Sequence, residues 1–128
     1  MTEQETFNIV VKHLITQGKP SMDKSTSCLY RGPEGTKCAV GCLIPDDKYH
    51  SDFEGVTLRS PISFDNMSPE RGALQSLLEQ EGHNLELLIE LQKAHDDSAG
   101  EMYEDSLDNN NVVNNELYMN ELKRRLVR

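Results

Sequence analysis

Cys28-Leu-Tyr-Arg-Gly-Pro-Glu-Gly-Thr-Lys-Cys38-Ala-Val-Gly-Cys42-Leu-Ile-Pro-Asp-Asp-Lys-Tyr49 is the stretch whose reading decides the fold. It holds all three cysteines of the chain and its densest apolar run outside the helical repeats. Gly32-Pro-Glu-Gly35 is a turn signal: glycine tolerates backbone angles that other residues resist, and Pro33 presets one dihedral. The reading is two short strands, 28–31 and 36–38, joined by that turn. Small residues then alternate over 39–44, which suits a short buried helix or a third strand, and Pro45 ends either one.

Outward from this nucleus the chain reads as helices. Over 3–17, Phe7, Val10, Val11, Leu14 and Ile15 form one stripe at helical spacing. Thr2 and Glu5 supply a capping box, and Gly18 marks the exit. A second helix opens at Ser68 as N-cap, with Pro69 in the tolerated first position and Glu70 beside the unpaired N–H groups. Leu74, Leu77 and Leu78 are its stripe, and Gly82 ends it. Asn84 caps a third helix running to about Asp97, with Leu85, Leu87, Leu88, Ile89 and Leu91 as a wide apolar face. A fourth spans 116–127, with Tyr118, Met119, Leu122 and Leu126 inward and a basic end at 123–128. Residues 46–55 read as irregular, 56–58 as a short strand, and 61–67 as a connection in which Ile62 and Phe64 cover the core. The segment 96–111 is acidic without a lysine or arginine, so it is expected to be a mobile connection.

The fold expected is therefore α+β: one domain, 1–128, mainly helical, with a small antiparallel β-hairpin packed on helices. A chain of 128 residues can bury a core of that kind. Its formal net charge of −9 discourages docking on nucleic acid or anionic membrane. No apolar run reaches the roughly 20 residues that span a bilayer, and the first residues lack a secretory pattern. An odd number of cysteines without such a signal points to a reducing cytoplasm.

Several groups of residues are candidates for chemistry. Cys38 and Cys42 share a face if their segment is helical, and Cys28 lies opposite Cys38 in the expected hairpin, so His50 or His13 would complete four zinc ligands. The second ligand pair of a structural zinc site is missing, however, and buried free cysteines are ordinary core residues. His95-Asp96-Asp97 suggests a divalent-metal doublet with His83 and Glu79 as company, although neighbours on a helix point in different directions. The turn lacks phosphate-loop spacing, and Glu34 would repel a phosphate. That leaves Arg31, Lys37 and Ser25 as residues able to hold a small anion or nucleotide. No catalytic residue, metal ligand or cofactor is assigned, and the chain is read as non-enzymatic.

The run Tyr30-Arg31-Gly32-Pro33-Glu34-Gly35-Thr36-Lys37-Cys38-Ala39-Val40-Gly41-Cys42-Leu43-Ile44-Pro45-Asp46 resembles a segment of small, mostly uncharacterised proteins encoded by tailed bacteriophages and prophages. The leading helix and the Leu-x-x-Leu-Gln-x-x-His-Asp pattern of 88–96 are similar as well. The resemblance implies a phage accessory protein that binds and modulates a host or defence component, and it brings no catalytic residues with it. The alternatives are a small metal-dependent hydrolase using Cys38, Cys42, His83, His95 and Asp96, or a binder of an anionic ligand. The surplus apolar positions of the third and fourth helices suggest a homodimer.

Overall fold

The computed structural model describes residues 2–22, 28–58, 68–101 and 115–126. These form four α-helices, α1 (Glu3–Gln17), α2 (Pro69–Gln80), α3 (Leu85–Glu101) and α4 (Asn115–Arg125). Three single 3-10 turns, Pro33–Gly35, Gly41–Leu43 and Ser51–Phe53, lie between α1 and α2.

The helix ends follow their local chemistry. Thr2 accepts from the Glu5 amide while Glu5 returns to the Thr2 backbone, which closes a capping box. Gly18 takes the left-handed conformation at φ 73° that ends α1. Ser68 accepts from the Arg71 N–H with Pro69 following it, and Asn84 Oδ1 accepts from the Leu87 N–H at 3.1 Å. The third helix runs past Asp97 to Glu101, so the acidic stretch begins within a helix. The remainder of that stretch, with Ile62, Phe64 and Val127, lies outside the described residues.

The expected β-hairpin is absent. Among the described residues there is no strand, only an isolated antiparallel bridge between Met22 and Cys28, so the α+β assignment is corrected to a helical fold. A single backbone bond closes the turn, Gly32 N–H to Thr36 O at 2.8 Å, and the pairing that a hairpin would have continued from it goes elsewhere. On the first would-be strand, Leu29 N–H donates to Ser21 O at 2.9 Å, and the amides of Tyr30 and Arg31 donate to the two oxygens of Glu54. On the second, Lys37 N–H donates to Gln17 Oε1, and Lys37 O meets His13 Nε2 and accepts from Gln17 Nε2. Side chains from α1 and from Glu54, which follows the Ser51–Phe53 turn, stand in for strand pairing. Residues 56–58 likewise form no strand. Segment 39–44 resolves as the Gly41–Leu43 3-10 turn, with Ala39, Val40, Leu43 and Ile44 all buried.

The core sits around α3. Leu85, Leu87, Leu88, Leu91 and Ala99 are buried, and they join Val10 and Leu14 of α1, Leu74 and Leu78 of α2, and Tyr118 and Leu122 of α4 in one cluster. Leu85, Leu87, Leu88 and Leu91 of the wide α3 face are thus covered within the chain, where α3 meets α1, α2 and α4, while Ile89 is half-buried. Ile9 is the exposed large apolar side chain among the described residues. None of the described helices is long and apolar enough to cross a membrane.

His83 is a core histidine: it is buried, and its Nδ1 lies 2.8 Å from Thr6 Oγ1. Burial holds its imidazole below the ordinary value, against the opposing pull of Glu81. A histidine depressed in the folded state contributes stability above its unfolded value, near 6.5, and loses it as pH falls through the folded value. The urea midpoint is therefore expected to drop between about pH 7 and pH 5, with a shallower pH slope in a His83→Gln protein. Equal slopes in the two proteins would exclude this histidine as the cause.

Candidate metal centre

Three of the chain's chemically active side chains converge where the nucleus meets α3. Cys28, His95 and Asp96 each place a ligand-type atom within 4.8 Å of the other two. Cys28 is carried by the Met22–Cys28 bridge, and the other two residues belong to the third turn of α3. His95 is fully buried, whereas the Asp96 side chain is 42% exposed. The cluster therefore has a closed back and an open front.

The front is a cleft of about 280 Å³. Cys28, Cys38 and Asp96 contribute to its wall, with Tyr30, Ile89 and Leu58 as apolar neighbours and Lys93 and Asp97 among its charges. One side comes from α3, through Ile89, Gln92, Lys93, Asp96 and Asp97, and the other from Cys28, Tyr30, Cys38 and the 55–58 segment. Tyr30 is fixed against the cleft by its hydroxyl bond to Val56 O and by its amide bond to Glu54. Gly41 lets the backbone of Tyr30 come close, since a Cβ there would lie 2.0 Å from Tyr30 O.

A hydrogen-bond chain defines the state of the cluster. Ser21 N–H donates to His95 Nε2 at 3.2 Å. A nitrogen that accepts carries no proton, so in the neutral ring the proton is on Nδ1, which donates to Asp96 Oδ1 at 2.9 Å. The same oxygen accepts from Gln92 Nε2 at 2.7 Å, while Gln92 Oε1 accepts from the Val40 N–H at 3.0 Å. Both bonds to Asp96 fall on Oδ1, so Oδ2 is available among the described residues. Behind His95, the Tyr118 ring stands edge-on with centroids 6.0 Å apart. The Tyr118 hydroxyl is buried and has no hydrogen-bond partner among the described residues. Burial first, then the charges of Cys28, Cys38 and Asp96, push its phenol above the ordinary range.

This convergence corrects the expectation of a chain without chemically competent residues, and hence the reading of it as non-enzymatic. It also re-sorts the candidate cysteines. Cys38 is buried with a free thiol pushed up by burial, and its sulfur accepts from the Gly41 amide. Cys42 is half-buried, with its thiol pushed up to about 12 by burial, Lys37 opposing, and it donates to Ala39 O. Neither belongs to the cluster. His13 and His50 are also elsewhere: His13 meets Lys37 O, and His50 lies beside Asp52. His83 stays with Thr6, and Glu79 is exposed.

The proposed anion-binding residues lie apart from this cluster. Arg31 donates to Asp46 and to Ile44 O and stacks on the Tyr49 ring, with its guanidinium carbon 4.9 Å from the centroid. Lys37 also approaches Asp46, at 3.5 Å. The two cations meet at a carboxylate of the chain itself, which holds Asp46 below the usual carboxylate range. Ser25 lies outside the described residues. No known protein family, curated protein or solved structure matches the chain.

Proposed function

We propose that the chain is a small metal-dependent hydrolase that holds a zinc-class cation between Cys28, His95 and Asp96 and works on a small substrate in the adjoining cleft. The observation that carries this reading is the mutual approach of the three ligand atoms within 4.8 Å, with Cys28 and Asp96 on the cleft wall and His95 buried behind them. A thiolate, an imidazole and a carboxylate suit zinc better than magnesium or calcium, which favour all-oxygen shells. Three protein ligands with an open side also fit the pattern of catalytic rather than structural zinc, whose fourth position takes water or substrate.

Bound zinc would supply a water acidic enough to act as a nucleophile near neutral pH. The chain's own contribution is positional. Gln92 steadies Asp96 through Oδ1, in the manner of an outer partner that orients a ligand, and Oδ2 has no partner among the described residues. Ile89, Leu58 and Tyr30 give the cleft an apolar lining that strengthens charge interactions within it.

Metal-free protein titrated with zinc or cobalt(II) tests the reading. One equivalent should bind, with a thiolate-to-cobalt charge-transfer band. Cys28→Ser should abolish the band and weaken binding by more than the roughly 10- to 100-fold that loss of an outer partner costs. Turnover of activated esters or phosphoesters should be removed by chelator and by Cys28→Ser alike. A wild-type chain that takes up no metal under these conditions would sink the reading.

A further inference from the structure

Every lone pair that His95 could offer a metal is already committed. Ser21 N–H holds Nε2, and the Nδ1 proton is donated to Asp96. A histidine that ligates a metal through one ring nitrogen keeps a proton on the other. If the metal takes Nε2, it displaces the Ser21 amide directly. If it takes Nδ1, the ring proton moves to Nε2 and faces the Ser21 N–H, donor against donor. Both routes break the same hydrogen bond.

We infer that the Ser21 amide is a resident competitor for the metal position on His95, so that metal entry exchanges one latch for another. The inference rests on the zinc reading above. In the structure Ser21 ties the cysteine-bearing segment to α3: its N–H reaches His95, its carbonyl accepts from the Leu29 N–H at 2.9 Å, and its hydroxyl accepts from Thr36 Oγ1 at 3.3 Å. Ser21 is fully buried, so an amide released from His95 has no water at hand and is costly to leave unpaired. In the metal-bound state the same segment is tied to α3 through Cys28 instead. The metal's gain at Cys28 and Asp96 must exceed the loss at Ser21, which sets a threshold for metal loading. The backbone around residue 21, rather than the ligands alone, then reports whether the site is filled.

Nitrogen-15 spectra of the full chain with zinc as the probe test this. Metal-free protein should show His95 protonated on Nδ1 and a slowly exchanging Ser21 amide. One equivalent of zinc should shift the Ser21 amide and speed its exchange about tenfold or more, while the Leu29 amide stays protected. Ser21→Pro removes the competing N–H and should tighten zinc binding about tenfold. If Ser21→Pro does not fold, the wild-type spectra decide alone. Zinc bound with the Ser21 amide unmoved would overturn the latch exchange and leave the zinc site standing. No zinc uptake by the wild-type chain would overturn both.

Discussion

Gly41→Ala is expected to cost the fold about 3 kcal/mol or more, the upper end of what overpacking usually does. A Cβ at this position would lie 2.0 Å from Tyr30 O, 2.8 Å from Tyr30 C and 3.0 Å from Tyr30 Cα. All three are backbone atoms, so no rotamer change relieves the clash. The peptide at residue 30 would have to retreat, but the Tyr30 amide is held by Glu54 and its hydroxyl by Val56 O. Retreat would also carry Cys28 away from His95, so any protein that still folds should lose metal affinity as well. Gly72→Ala is the internal control. It lies within α2 with nothing inside 4 Å of a new Cβ, so it should stabilise the chain by roughly 0.5–1 kcal/mol through helix propensity. Urea midpoints of the two variants should move in opposite directions. A Gly41→Ala protein as stable as the wild type would mean that residue 30 does not cross residue 41 at this distance.

The helices were legible because their signals are local. Thr2 with Glu5, Ser68 with Pro69, and Asn84 each satisfy an amide within three residues, so the sequence shows both partners at once. The nucleus at 28–49 was not legible for the converse reason. Its turn was placed well: Pro33–Gly35 does turn, with Gly35 at φ 76° and Glu34 also at positive φ, beside its ion pair with Lys19. What the turn joins depends on Gln17, Glu54 and Gln92, which satisfy backbone groups from elsewhere in the chain. A glutamine on a helix carries no sequence mark that it will replace a strand partner.

The candidate site was half legible. His95 and Asp96 stood out as a doublet, but the divergence of adjacent helical side chains argued against their meeting. That rule concerns the Cα–Cβ directions. Here the Asp96 carboxylate bends back to Nδ1 of its neighbour at 2.9 Å, steadied by Gln92 one turn earlier. The doublet's expected company was His83 and Glu79, or Cys38 and Cys42 in the hydrolase alternative, while Cys28 was grouped with the other two cysteines in a separate zinc set. With the hairpin gone, Cys28 pairs with Met22 instead, and this register brings it to His95.

Tyr118 tests how α4 and this site depend on each other, and two substitutions at it should act with opposite sign. Tyr118 is fully buried, and its ring packs edge-on against His95 at an interplanar angle of 79°. Truncation to alanine empties a large volume in the core and removes the wall behind the imidazole. Such changes cost about 3–5 kcal/mol, and an edge-to-face aromatic contact adds about 0.5–1.5 kcal/mol to what area alone would give. Phenylalanine keeps the volume and the ring contact and deletes only the hydroxyl. Because that hydroxyl is buried without a partner among the described residues, it costs the folded state about 1–3 kcal/mol of desolvation with no bond in return. Tyr118→Phe should thus raise the urea midpoint of the metal-free protein while Tyr118→Ala lowers it sharply, and the His95 tautomer should survive only in the former. If instead Tyr118→Phe lowers stability, the hydroxyl has a partner in the folded chain, and its burial is part of a bonded network rather than a strain on α4.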